Sequence, residues 1–458
     1  MRKILVIGAG QSSASLIKYL SDNSIEENLQ IIVADVSIEI AQSKIKDHIN
    51  TTAIALDIFN AESRSKAIRV ADIVVSMLPA SMHIEVAKDC MLFKKNLVTA
   101  SYISKEMKTL DEDVKKQGLI FMNEIGLDPG IDHMSAMSVI DKIRDNGGKM
   151  LLFESFTGGL VAPESDNNLW NYKFTWNPRN VVLAGQGGAA KFLQEGTHKY
   201  IPYHKLFRRT EFLKIDGIGT GKFEAYANRD SLKYIKDYGL DDILTMYRGT
   251  IRRIGFSRAW NMFVQLGMTD DSYVMEDSEN MSYRDFTNSF LAYNPNDSVE
   301  LKLRSYLKID QDDIMWEKLI ELDIFNPNKK VGIKNATPAQ ILQKILRDSW
   351  TLQPEDKDMI IMHHKFGYEY QNEKRQIESS MFVIGEDQKY TAMAKTVGLP
   401  VAIATLLILN GKIKNYGVQI PLAKEVYVPV LKALEKHGIK FNEYKVPYMG
   451  YNPNNVNG

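Results

Sequence analysis

Residues 3–8 read KILVIG, and they run directly into GAGQSS and then ASLIKYLSDN. The first segment has the length and content of a strand. In the last, Leu16, Ile17 and Leu20 fall at helical spacing. A strand, a glycine turn and a helix in immediate succession leave few folds open. They are the first half of a βαβ unit whose loop can cradle a dinucleotide. Gly8 allows the tight turn. Gly10 lets backbone N–H groups approach a pyrophosphate, whose charge is favoured at a helix N-terminus. The third motif position is Ser13 rather than glycine or alanine, still small enough to pack against the strand. Gln11 and Ser12 complete the loop.

The second strand, LQIIVADV at 29–36, ends in Asp35. A carboxylate at this distance from the glycine loop hydrogen-bonds the adenosine ribose and repels a 2′-phosphate. No arginine follows it, so NAD is expected over NADP. The βα rhythm continues through TAIALDIFN (52–60), with Asp57 at its tip, ADIVVSMLP (71–79), KNLVTASY (95–102) and GLIFMNE (118–124). Ligands of such sheets bind outside the carboxyl ends of the strands. The strand-end segments SMLP, TASY and NEIGLD should therefore converge on one crevice. Asp128-Pro129-Gly130 is expected as a turn and IDHMSAMSVIDKI as the helix after it.

Composition bounds the rest. Lys+Arg and Asp+Glu both number 57, which argues against a polyanion such as nucleic acid as the main partner. A single cysteine, Cys90, rules out an internal disulfide, and its apolar context suggests a buried, inert thiol. His363 and His364 sit in an alternating strand-like run, so they should face opposite sides, a poor arrangement for one metal. The N-terminal apolar run breaks at Gly8 and Gly10, unlike a signal peptide. LPVAIATLLIL (399–409) is too short to span a bilayer as a helix. The expectation is a cytoplasmic protein with no membrane partner.

NEIGLDPGIDH, ESFTGGLVAPES, NNLWNYKFTW, ANRDS, YRGTIR and AMAKTVGLPVAIA, in this order, resemble the saccharopine dehydrogenase family, closest to its glutamate-forming branch. The resemblance runs almost end to end, from GAG at 8 to GIKFNEY at 438–444. It implies an α/β architecture: a Rossmann dinucleotide-binding domain at about 1–128 with 391–458, and a mixed-sheet α/β substrate domain at about 129–255 with 356–390. A helical insert fills about 256–355. A homodimer through the second domain's sheet is implied as well.

The reaction implied is oxidation of the secondary amine of saccharopine. Hydride passes to the nicotinamide, and hydrolysis of the imine yields glutamate and 2-aminoadipate 6-semialdehyde. The resemblance places catalysis at Asp128 and Tyr102. It places substrate contacts at Ser101, Tyr102, Asp128, Thr157, Arg229, Thr250 and Arg252. Cofactor contacts fall to Gly8, Gly10, Gln11, Ser12, Ser13, Asp35, Asp57, Met77, Leu78, Pro79, Thr99, Ala100, Leu127, Asp128, Pro129 and Thr175. Three substrate carboxylates need guanidinium partners, and Arg229 and Arg252 are the candidates. Arg248 can serve structure, and Arg253 should point away. Asp128 is expected to face substrate, by proton transfer or purely electrostatically, while Glu124 and Asp132 fix the loop and His133 is structural. One departure stands out: where the family often reads S-Y-C-G-G-L-P-A-P, this chain has SFTGGLVAP, so Thr157 replaces a cysteine. A threonine hydroxyl does not ionise at neutral pH. Two other readings remain: an enzyme for another amine, such as lysine or a carboxylated polyamine, and a nucleotide-binding protein without catalysis. The number of carboxylate-binding cations separates the first, and cofactor binding without turnover the second.

Overall fold

In the computed structural model, which describes residues 1–451, 456 and 457, the strand–turn–helix opens the chain as expected. Strand β1 (Arg2–Ile7) leads through the glycines and a single 3-10 turn at Gln11–Ser13 into α1 (Ala14–Asp22). The alternation continues with β2 (Leu29–Asp35), α2 (Ile38–Ile45), β3 (Thr51–Ala55), α3 (Ala61–Arg69), β4 (Ile73–Ser76) and α4 (His83–Leu92). It ends with β5 (Asn96–Thr99), α5 (Lys105–Thr109), α6 (Asp111–Lys116), β6 (Ile120–Met122) and α7 (Ile131–Asp145). Helices α2, α3 and α5 begin where a side chain caps them: Ser37, Asn60 and Ser104 accept from the N–H of Ile40, Ser63 and Met107. The strands are apolar because a parallel sheet is covered on both faces, and all four residues of β4 are buried.

The chain then builds β7 (Lys149–Val161), α8 (Pro178–Val182), β8 (Ala190–Gln194), β9 (Thr197–Ile201), α9 (Tyr203–Leu206), β10 (Thr210–Lys214), β11 (Lys222–Ala227) and β12 (Thr245–Arg252). Five helices follow: α10 (Phe256–Leu266), α11 (Tyr283–Asn288), α12 (Val299–Leu307), α13 (Ile314–Glu321) and α14 (Pro338–Trp350). A hairpin, β13 (Asp358–Tyr370) and β14 (Glu373–Ile384), precedes α15 (Ala392–Leu409), β15 (Gly417–Gln419), α16 (Lys424–Glu435), β16 (Asn442–Pro447) and β17 (Val456–Asn457).

Two sheets result. The first is parallel, in the order β15-β6-β5-β4-β1-β2-β3. Its seventh strand, β15, is one that sequence reading missed. The second is mixed, in the order β16-β14-β13-β7-β12-β11-β10-β17, with β8 joining β12 and β9 joining β8. The chain divides into two compact units, Met1–Lys149 with Ser379–Tyr444, and Met150–Glu378 with Lys445–Gly458. These boundaries differ from those expected. Helix α7 stays with the parallel sheet because it packs on α16, where Tyr427 donates a 2.7 Å hydrogen bond to Asp141. Residues 256–355 remain inside the second unit instead of forming a body of their own, and the chain after Tyr444 joins the second unit. Their helices are tied in by aromatic packing: Trp170 stacks on Phe263 of α10 at 5.5 Å and meets Trp350 of α14 edge-on at 5.2 Å.

Helix α15 runs longer than the apolar stretch suggested. Its 18 residues are long and apolar enough to cross a membrane, but 78% of them are buried inside the protein. It packs against α1 and α16 as a core helix. Cys90 is buried in the core between α4 and the sheet, and burial pushes its thiol up. His363 and His364 lie on opposite faces of β13: His363 packs near Phe156 and His364 near Phe153.

Candidate active site

The loop after β1 has the shape a pyrophosphate needs. Gly8 has φ of +101°, and a Cβ there would lie 2.9 Å from the Met77 carbonyl oxygen. Around Gly10 a Cβ would meet nothing within 4 Å, so the backbone there is open to a ligand. Ser13 is buried, and its hydroxyl donates back to the Gly10 carbonyl at 2.8 Å, which holds the turn. Gln11 and Ser12 stand on the 3-10 turn at the helix start. The residues present thus fit a dinucleotide. Asp35 is half-buried, and its oxygens accept from Ala9 N–H at 2.8 Å and Ser37 N–H at 3.2 Å, so its carboxylate also organises the loop. Asp57 lies past the end of β3, exposed, and accepts from Phe59 N–H at 2.9 Å.

The three strand ends do converge. Ile125 N–H donates to the Thr99 carbonyl at 3.3 Å and Glu124 N–H to the Ser101 carbonyl at 3.1 Å, which joins TASY to NEIGLD. A Cβ on Gly126 would be 2.9 Å from that of Ala100, so the two segments lie against each other. SMLP joins through His83 at the start of α4, whose ring reaches Ser76 on one side and Ser101 and Thr99 on the other. Met77, Leu78 and Pro79 leave β4 at this edge, half-buried to exposed. Tyr102 donates to Asp128 Oδ1 at 3.0 Å, and Leu127, Asp128 and Pro129 form the turn between β6 and α7. Leu127 and Pro129 are buried, whereas Tyr102 and Asp128 are half-buried.

The other acids of this stretch do scaffolding. Glu124 is fully buried, with φ of 54°. One of its oxygens accepts from Ile103 N–H at 2.9 Å and the other meets His133 Nε2 at 2.9 Å. Asp132 accepts from Gly130 N–H at 2.6 Å. Glu124 therefore fastens the segment carrying Tyr102, and Asp132 the turn carrying Asp128.

In the second unit, Thr157 of β7 stands opposite Thr250 of β12, and Thr250 opposite Tyr226 of β11. These positions share a sheet face with Arg252. Arg252 is only 4% exposed, yet it has no carboxylate partner among the described residues. Its guanidinium lies 5.2 Å from the rings of Tyr172 and Phe256 and 5.7 Å from Tyr226. Its Nε has no hydrogen-bond partner among the described residues, and neither have the buried hydroxyls of Thr157, Thr175 and Tyr172. Among the described residues, the terminal nitrogens of Arg252 donate only to the Ile251 carbonyl at 2.9 Å and the Tyr226 hydroxyl at 3.4 Å, so the buried cation keeps bonding capacity for a polar, anionic group. Trp170 anchors the segment bearing Tyr172 and Thr175, its indole N–H donating to the Lys318 carbonyl at 2.8 Å.

Arg229 is exposed on the loop after β11 with φ of 46°, held by Lys191 N–H on its carbonyl at 2.7 Å. Asp230 does not neutralise it. That carboxylate faces Lys191 at 3.7 Å and caps Leu232 N–H at 3.0 Å. Arg248 lies over Tyr234 at 4.8 Å, and Arg253 turns the other way to Asp166 at 3.5 Å.

Sequence models of the saccharopine dehydrogenase NADP binding domain and of the saccharopine dehydrogenase C-terminal domain match residues 4–122 and 126–439. The chain belongs to the saccharopine dehydrogenase family. Among its relatives, the saccharopine dehydrogenase [NADP(+), L-glutamate-forming] of Schizosaccharomyces pombe is 33% identical, with 97% of this chain and 99% of that protein aligned. The mitochondrial alpha-aminoadipic semialdehyde synthase of Rattus norvegicus is 34% identical over 96% of this chain but 47% of its own length. The chain spans about half the length of the semialdehyde synthases it matches. Apo saccharopine dehydrogenase (L-Glu forming) from Saccharomyces cerevisiae shares the fold with a TM-score of 0.87 at 30% identity, covering 97% of this chain and all of that one.

Within this member of the saccharopine dehydrogenase family, His83, Tyr172 and the aromatic wall around Arg252 escaped sequence reading. A signal was present for the aromatic wall, since NNLWNYKFTW is dense in rings. His83 carried none, because its partners come from two other strands.

Proposed function

We propose that this chain is a glutamate-forming saccharopine dehydrogenase. In this reading the secondary amine of saccharopine is oxidised to an imine, and water then releases glutamate and 2-aminoadipate 6-semialdehyde. The observation that carries it is Arg252, a buried guanidinium with no acidic partner among the described residues, walled by the rings of Tyr172, Tyr226 and Phe256 and with its Nε unpartnered. A cation so placed suits a carboxylate, which a guanidinium grips with two parallel hydrogen bonds. Arg229, exposed and unneutralised by Asp230, is the second carboxylate partner. The full-length similarity to fungal enzymes named for this reaction supports the same reading.

A bound nicotinamide dinucleotide supplies the hydride acceptor. Gly8, Gly10, Gln11, Ser12 and Ser13 would hold its pyrophosphate. The amine must be deprotonated before hydride leaves, and Asp128, oriented by Tyr102, takes that proton. Glu124 and Asp132 keep the two segments in place. Thr157 contributes a hydroxyl where the family pattern often has a cysteine, so it hydrogen-bonds substrate without ionising.

Asp35 alone would favour NAD. Its two oxygens already serve Ala9 and Ser37, however, which weakens the inference from its position. The fungal relatives carry NADP(+) in their names, and this weighs toward NADP. The test is the initial rate of reduced-cofactor formation from saccharopine with NAD and NADP side by side, with glutamate measured as product. Turnover with either cofactor supports the reading, and the ratio assigns the 2′-phosphate preference. Silence with both sinks it. Asp35→Ala should move the ratio toward NADP, and an unmoved ratio removes Asp35 from the ribose site.

A further inference from the structure

His83 is only 4% exposed, at the first position of α4. Its Nδ1 lies 2.8 Å from Ser76 Oγ, at the end of β4. Its Nε2 lies 2.7 Å from Ser101 Oγ and 3.2 Å from Thr99 Oγ1, at the end of β5. Burial pushes the imidazole down to about 4, so at neutral pH the ring carries one proton, on one nitrogen.

Counting buried protons decides which nitrogen. Suppose Nδ1 carried it and donated to Ser76. The Ser76 hydroxyl is fully buried with no other partner among the described residues, so its own proton would have nowhere to go. Bare Nε2 would take the proton of its nearer neighbour, Ser101, and the Thr99 proton would be orphaned as well. Were Thr99 to donate instead, Ser101 Oγ would face a bare nitrogen lone pair at 2.7 Å. Now place the proton on Nε2. Ser76 donates to Nδ1, and Nε2–H donates to Ser101, with Thr99 as the longer branch. Of the buried protons only that of Thr99 lacks an acceptor, since Ser101 is half-exposed. An unmade buried donor costs more than a made bond gains, so the Nε2–H form is favoured.

In that form Ser101 accepts from the ring, and its own proton is left over. Ser101 is half-exposed, and its hydroxyl has no further partner among the described residues. We propose that His83 is a positioning residue that commits the Ser101 hydroxyl to donate to a carboxylate oxygen of the substrate. With that proton free, Ser101 can donate to a carboxylate, which the opposite tautomer, spending the proton on Nε2, would not allow. The inference rests on the saccharopine reading above, which already places Ser101 at the substrate, and it adds the residue that sets the polarity of that hydroxyl.

The test has two arms. In the full-length protein with ¹⁵N-labelled histidine, long-range ¹H–¹⁵N spectra report the tautomer directly. His83 should show a protonated Nε2 and a bare Nδ1 at neutral pH. A protonated Nδ1 overturns the assignment whether or not saccharopine turns over. In the kinetic arm, Ser101→Ala and His83→Ala should each lower kcat/KM by roughly ten- to a hundredfold with the cofactor Kd unchanged. The double variant should lose no more than the worse single one. His83→Gln, whose amide N–H stands where Nε2–H was, should retain more activity than His83→Asn. Additive losses, or Asn matching Gln, would overturn the positioning role. A wild-type protein silent toward saccharopine sinks the parent reading instead, and with it the identity of the carboxylate ligand.

Discussion

Asp128 and Tyr102 share one hydrogen bond of 3.0 Å, so their effects on turnover should not be independent. Asp128→Asn is expected to lower kcat by at least about a hundredfold with the cofactor Kd unchanged, as loss of a proton acceptor does. Tyr102→Phe added to it should cost little more, and a full further loss would separate the two roles. Arg252→Lys keeps the charge but loses the planar fork that lies against Tyr172 and Phe256. The saccharopine KM should rise about tenfold, and an unchanged KM would remove Arg252 from the site. Glu211 makes a different prediction. It is 7% exposed, and burial, reinforced by Glu154, pushes its carboxyl up to about 8 against the pull of Lys365. The folded chain thus keeps a proton that the unfolded chain has released above its ordinary 4.5. Stability falls as pH rises between those two values and levels off above them. Glu211→Gln should melt like the parent at the acid end and clearly higher above pH 8, by calorimetry; equal melting at both ends would refute the assignment.

At the scale of elements, the tightest approach to the nucleotide loop comes from α15. A Cβ on Gly398 would lie 2.8 Å from Leu16 N and 3.1 Å from the Ser12 carbonyl oxygen, both backbone atoms that cannot swing aside. Gly398→Ala should therefore destabilise by about 1–3 kcal/mol, more than its gain in helix propensity, and weaken cofactor binding. A stabilised variant with unchanged cofactor Kd would show that the helices separate freely. This contact also marks the limit of what the sequence discloses. The six strands of the first unit were legible because parallel strands buried on both faces read as short apolar runs between turn residues. Strand β15 was not, since three residues, GVQ, make no run and owe their strand to β6 alone. Glu124 could be recognised as a loop anchor from its neighbours. His83 could not, because Ser76, Thr99 and Ser101 meet it only through the sheet. The domain border was misplaced for the same reason: the bond from Tyr427 to Asp141 that fixes α7 joins residues far apart in the chain.

For the whole molecule, the first unit is assembled from two separate stretches of chain, Met1–Lys149 and Ser379–Tyr444. Its β6 edge is covered by β15, and α1 by α15. A fragment ending at Lys149 would expose the apolar faces that these elements cover. It should be insoluble or bind no dinucleotide, and a soluble, cofactor-binding fragment would show that the later elements are dispensable. The same discontinuity sets a timetable during synthesis. Roughly 230 residues separate the two pieces. At about 5–20 residues per second, the nascent nucleotide fold waits some ten to forty-five seconds on the ribosome before synthesis of its second piece even begins. Through that interval its sheet has an open edge and a bare flank, so in the cell this half of the chain is a client for whatever shields unfinished surfaces, and slowing translation across the middle of the message should lower the yield of soluble protein.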